Sequence, residues 1–168
     1  MPRRRTLALI VLIVGMAAGY GVLCFIAGRA SSAPARTATA AQRIDQVLAT
    51  YRSPMAGLGR VFVAAGRQHR VSPYLIVAIS GVESTFGREA CGRNAFGWES
   101  CQGRGFPSWD TGIWTVARAL RAGYLDHGVT SLEQLGRVYC PPCGPRWARD
   151  VSWIMRHLLH ADPTRLDR

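Results

Sequence analysis

A mainly α-helical fold is what this sequence predicts: a small helical globule with one elaborated loop, preceded by an N-terminal transmembrane helix. Three observations carry that expectation. Apolar residues recur at helical spacing through most of residues 41–160. Capping residues, Ser or Thr followed by Pro or Glu, stand ahead of several of those runs. A run of 23 residues without a charge, 6–28, follows three arginines at positions 3–5. About 20 apolar residues span a bilayer.

The N-terminal run is too long for the apolar core of a cleavable signal, which is about 7–15 residues. Basic flanks stay cytoplasmic, so residues 1–28 are expected to be an uncleaved signal anchor. Cleavage near "IAGRASSA", followed by secretion, is the alternative. Cys24 follows Leu23, where a lipid-attachment site would have a small residue, so it is read as an apolar member of the span. Residues 29–40 are small, polar and contain Pro34, which makes them a linker. Residues 41–168 then form one domain, of a size able to bury a modest core.

Within it, Ala41 to Tyr51 is read as a first helix, with Ile44, Val47, Leu48 and Tyr51 at helical spacing. Ser53-Pro54 reads as an N-cap with Pro at the first helical position, opening a second helix to about Gln68. Ser72-Pro73 repeats the device. It opens a third helix with Leu75, Ile79, Val82 and Phe86 in one stripe and Gly87 as the stop. Asp110 or Thr111 starts a fourth, with Ile113, Ala117, Leu120 and Tyr124 on one face and Gly128 beyond it. "TSLE", residues 130–133, is read as a capping box for a short fifth helix. Arg146 to about His160 is the sixth, with Trp147, Val151, Ile154 and Leu158 in register. Residues 88–109 are the exception. They are rich in Gly and aromatics and keep no period, which suits a functional loop or a short hairpin.

Four cysteines, Cys91, Cys101, Cys140 and Cys143, follow the apolar run. An exported segment favours disulfides, and the local pairing Cys91–Cys101 and Cys140–Cys143 is expected. No βαβ pattern surrounds "CPPC", which argues against a redox motif. Cys91 and Cys101 lack the short spacing of zinc ligands, and no metal or cofactor is expected. All 21 basic residues are Arg; after residue 28 there are 18 of them against 10 acidic residues. Such a surface attracts anionic polymers. No nucleic-acid-binding motif accompanies it, and nucleic acid is not an expected partner.

Glu83 is the residue that raises a chemical question. At 100° per residue it lies about 80° from the centre of the third-helix stripe, at the rim of the buried face. Partial desolvation there favours the neutral carboxyl and raises its pKa. The nearby helix C-terminus pushes the same way. A carboxylic acid that keeps its proton near neutral pH suits glycosidic bond cleavage, where a proton must reach the leaving oxygen.

"VSPYLIVAISGVESTFG" followed by "NAFGW" resembles the lysozyme-like superfamily of peptidoglycan-cleaving enzymes. The helix ending in Glu-Ser is similar to that of soluble lytic transglycosylases. Residues 94–98, Asn-Ala-Phe-Gly-Trp, are closer to the turn of the endo-β-N-acetylglucosaminidase branch. "FPSWDTGI" resembles that branch's continuation, and "VYCPPCGPRW" stands where transglycosylases carry a Tyr, a Gly/Pro turn and a Trp. The resemblance covers about residues 71–158. It implies Glu83 as general acid/base, Ser84 as the following serine, Asn94, Phe96 and Gly97 as the floor of a groove, and Tyr139 beside the catalytic carboxyl. Three positions depart from the transglycosylase pattern. Trp98-Glu99 replaces a Met-Gln, and Cys140 replaces an Asn.

The implied substrate is the glycan strand of peptidoglycan, cut at β-1,4 bonds between N-acetylated amino sugars. The implied location is a bacterial cell membrane, single-pass, with the domain on the periplasmic or wall side. Hydrolysis normally uses two carboxylates, about 5–5.5 Å or about 6.5–9.5 Å apart. Glu99 is the foremost candidate for the second, ahead of Glu89; Asp110 reads more simply as an N-cap. Without a second carboxylate, the substrate's N-acetyl group serves as nucleophile, and the intermediate collapses onto water or onto the sugar's 6-hydroxyl. Trp98, Trp109, Phe106 and Tyr139 are candidate sugar platforms, while Trp147 and Trp153 read as helix packing. A catalytically silent wall-binding module and an accessory wall-opening subunit of a secretion or conjugation machine are the alternatives.

Overall fold

The computed structural model describes residues 38–98 and 105–167. The expected signal anchor (1–28), most of the linker, Glu99 and Cys101 lie outside the described residues. Among the described residues no helix is long and apolar enough to cross a membrane.

Six α-helices make up the described chain: α1 Ala40–Thr50, α2 Gly59–His69, α3 Pro73–Ser84, α4 Trp109–Gly123, α5 Leu132–Tyr139 and α6 Gly144–Trp153. A 3-10 turn, Leu125–His127, follows α4, and a single π-helical stretch, Ile154–Leu158, continues α6. Among the described residues no strand forms; the expected hairpin is reduced there to one isolated bridge between Cys91 and Asn94.

The core is built around α3. Leu75, Ile76, Val77, Ala78, Ile79 and Ser80 are all fully buried, because α2, α4, α6 and the π stretch pack around this helix. The expected single stripe is therefore too narrow. A helix apolar on every side belongs in the interior of a bundle, and here only Tyr74 near its start and Gly81, Val82 and Glu83 near its C-terminal end reach part-exposure.

Local chemistry sets most of the boundaries. Thr39 and Gln42 form a reciprocal capping box at α1. The box at α5 is Ser131 with Gln134, one residue further on than the Thr130–Glu133 frame. Ser108 caps α4 through the Thr111 N–H, so Asp110 is not the N-cap but an exposed first-turn acid. The largest correction is at Ser53-Pro54, which opens no helix. Ser53 Oγ donates to Phe86 O (2.6 Å) and accepts from Met55 N–H, so residues 53–58 are held as turns. Helix α2 begins at Gly59, whose N–H is capped by Asp45 Oδ1 of α1 at 2.7 Å.

The α5–α6 corner matters most for function. A Cβ at Gly136 would lie 2.5 Å from the Gly144 carbonyl oxygen, so the two helices meet backbone to backbone. Cys140 and Cys143 are disulfide-bonded across the intervening turn, with Cα atoms 5.3 Å apart. This close corner brings the rings of Tyr139 and Trp147 into a stack, centroids 5.0 Å apart.

Candidate active site

Helix α3 ends abruptly one residue after Glu83. Thr85 N–H bonds to Gly81 O and Phe86 N–H to Ser80 O, and Thr85, Phe86 and Gly87 all take left-handed φ values of 51°, 57° and 87°. Such a conformation is costly for a β-branched Thr. The turn is held by burial of the Phe86 ring, 4.6 Å from Tyr51, and by the Ser53–Phe86 bond. Glu83 is thus left at the rim, half-buried, with no further helical turn to cover it.

Ser84 is buried and ties helix to loop. Its Oγ donates to Ala95 O (2.7 Å) and accepts from Gly87 N–H (2.9 Å). Asn94, also buried, closes the next turn: Oδ1 accepts from Phe96 and Trp98 N–H, and Nδ2 donates to Trp98 O at 2.6 Å. The Phe96 ring is fully buried. Ser84, read by resemblance as orienting the active-site backbone and binding substrate, and Asn94 and Phe96, read as the floor of a groove, spend their side chains on holding residues 94–98 against the end of α3. A buried polar group needs an internal partner, and these have one.

What that turn presents is Gly97. It is exposed, with φ 61°, and a Cβ there would sit 2.6 Å from Glu83 Oε2. Only glycine fits this position without moving the carboxyl, because the backbone is left-handed and the space is taken. From the other side Trp147 Nε1–H donates to Glu83 Oε1 at 2.6 Å. Tyr139 donates its hydroxyl to Phe96 O at 2.6 Å while its ring lies on Trp147. A shallow pocket of about 210 Å³ is lined by Gly97, Trp98, Tyr124 and Tyr139 and so shares Gly97 with the carboxyl.

Burial holds the Glu83 pKa above its ordinary value of 4.5, against the opposing pull of the Trp147 N–H. Tyr139 is pushed well above its ordinary value by burial and then by the charges of Glu83 and Tyr124, so it keeps its proton and its bond to Phe96 O. Glu83 is the carboxyl of this cluster, raised by burial, and its titratable neighbours are phenols that burial raises further. Among the described residues no second carboxylate tunes it; Glu89 and Asp110 are exposed, and Glu99 lies outside them.

Trp98 lines the pocket as expected. Trp109 does not; it packs on Gly87. Phe106 packs on Gly112. Trp153 is half-exposed and stacks on His157. Trp147 is packed in the core, as its helical spacing predicts, and its indole N–H serves the carboxyl as well. A buried Trp N–H needs a partner, and that was the available signal. Tyr124 joins the site from the end of α4. Cys91 is disulfide-bonded, and its expected partner, Cys101, falls outside the described residues. No family model and no curated protein matches this sequence.

Proposed function

We propose that this chain cleaves the β-1,4 glycan strand of peptidoglycan, with Glu83 as general acid and then base. The carrying observation is a half-buried carboxyl, raised in pKa by burial, packed against the glycine that lines an open pocket with aromatic walls. Trp98, Tyr124 and Tyr139 offer flat apolar faces and polar edges, which suit pyranose rings. The proton of Glu83 passes to the glycosidic oxygen as the C1–O bond breaks, and that oxygen keeps the bonding electron pair. With no second carboxylate tuning Glu83 among the described residues, the substrate's N-acetyl oxygen is the internal nucleophile in this reading. Water or the sugar's 6-hydroxyl then attacks C1 and gives its proton to Glu83, while the C1–O bond to the acetamido oxygen breaks and its electron pair returns to the acetamide. The lysozyme-like resemblance and the expected anchor belong to the same reading: a domain tethered to a bacterial membrane and facing the wall.

The test is digestion of purified peptidoglycan, with products read by mass spectrometry. Anhydro ends identify transglycosylation, and the sugar at a reducing end identifies the hydrolysed linkage. A silent wall-binding module releases nothing.

A further inference from the structure

We propose that the Glu83 carboxyl reacts through one oxygen: Trp147 holds Oε1 permanently as an acceptor, and Oε2, beneath the bare Cα of Gly97, carries the proton exchanged with substrate. This rests on the reading of Glu83 as the acid and goes further, because it assigns a job to each oxygen and makes Trp147 a positioning residue.

An indole N–H only donates. Whether Glu83 is ionised or neutral, Oε1 must therefore offer a lone pair to Trp147 Nε1, 2.6 Å away. In the neutral carboxyl the carbonyl oxygen is the better acceptor, so the proton resides on Oε2. That oxygen points to Gly97, where even one methyl group would be 2.6 Å from it. Gly97 is exposed and lines the pocket, so the route to Oε2 passes over a glycine. Trp147 itself is only 3% exposed. It acts through Glu83 and not by touching substrate, and its ring is fixed by the Tyr139 stack. When the proton leaves for the glycosidic oxygen, charge develops on the carboxyl, and the Oε1···H–N bond strengthens as it does so. Later the same Oε2 takes a proton from the attacking water or 6-hydroxyl.

Among the described residues the groups facing Glu83 are few. Helix α6 supplies the non-titrating indole, α5 supplies Tyr139 with Tyr124 of the α4 end behind it, and the loop supplies Gly97 and Trp98. Removing the indole N–H therefore changes one hydrogen bond to the carboxyl and no charge.

The experiment follows the Glu83 carboxyl carbon by NMR in the full chain in detergent, identified as the glutamate signal missing from Glu83→Gln. Trp147→Phe is expected to move its titration midpoint to higher pH, because a donor that favours the carboxylate is gone. Trp147 replaced by benzothienylalanine keeps the ring and its stack but has no N–H, and gives the same shift even if the Phe variant folds poorly. In peptidoglycan cleavage kcat/KM falls about ten- to hundredfold, the scale of a hydrogen bond to a charged group, and the alkaline limb of its pH profile moves up with the NMR midpoint. An unmoved midpoint in the benzothienylalanine variant overturns the proposal, as does an alkaline limb that stays in place. If Glu83→Gln cleaves as well as wild type, the functional reading falls instead, whatever the NMR shows.

Discussion

At its N-terminal end α3 borders a pocket of about 500 Å³ whose lining includes Arg43, Tyr74, His160 and Arg165; past its C-terminal end, Gly97 against Glu83 lines one of about 210 Å³. The larger pocket is the less organised. Arg43 lies over the Tyr74 ring, 5.3 Å from its centroid, yet Arg43 Nε and the Tyr74 hydroxyl are buried without a hydrogen-bond partner among the described residues. At the other end Ser84, Asn94, Tyr139 and Trp147 are all committed, and each commitment converges on Glu83 or the turn against it. Size does not distinguish a site here. What does is one titratable group left able to react while its neighbours are fixed.

Gly97→Ala breaks the C-terminal end most severely. The new methyl must displace the carboxyl, and misplacement on that scale costs about a hundredfold in rate; kcat/KM on peptidoglycan measures it. Its left-handed backbone adds a stability loss of about 1–2 kcal/mol, visible in urea unfolding.

The same chemical change made at both ends sharpens the contrast. Tyr139→Phe leaves Phe96 O without its donor and is expected to destabilise by about 1–3 kcal/mol. Tyr74→Phe removes a hydroxyl that has no partner and is expected to be neutral or slightly stabilising, within about 0.5 kcal/mol. Paired denaturation curves check both. Equal losses at the two ends would erase the distinction drawn here.

A smaller effect is the pH dependence of stability. With its folded pKa above 4.5, Glu83 binds more protons in the folded chain than in the unfolded one between those two values. Wild type therefore loses stability relative to Glu83→Gln as pH rises through that window, and the difference is constant above and below it. Unfolding midpoints of the two chains across pH reveal the sign.

Much of this was legible in the sequence where the cause is local. The starts of α1 and α3 fall within one residue of expectation, and Glu83 sits at the rim because a 100° step places it there. What was not legible depends on distant partners. Ser53-Pro54 has the composition of a helix start, but the serine is taken by Phe86, 33 residues later. Helix α2 is capped by an aspartate from the preceding helix. Trp147 meets Glu83 across 64 residues, and helical spacing reports only that it is buried. Ser84, Asn94 and Phe96 stand out as a group through resemblance, and the bonds that Ser84 and Asn94 make within the turn depend on tertiary neighbours. Periodicity carries no information on whether a buried polar side chain faces a ligand or a neighbouring carbonyl.

The central claim is that Glu83 is the acid of a glycan-cleaving site, and its most direct test compares wild type with Glu83→Gln on purified peptidoglycan. The glutamine nearly preserves volume and can still accept from Trp147, but carries no transferable acid proton. The account predicts that wild type releases glycan fragments and that the variant, equally folded by circular dichroism, is slower by at least about a hundredfold. Equal release by both chains, or none by either, would contradict it.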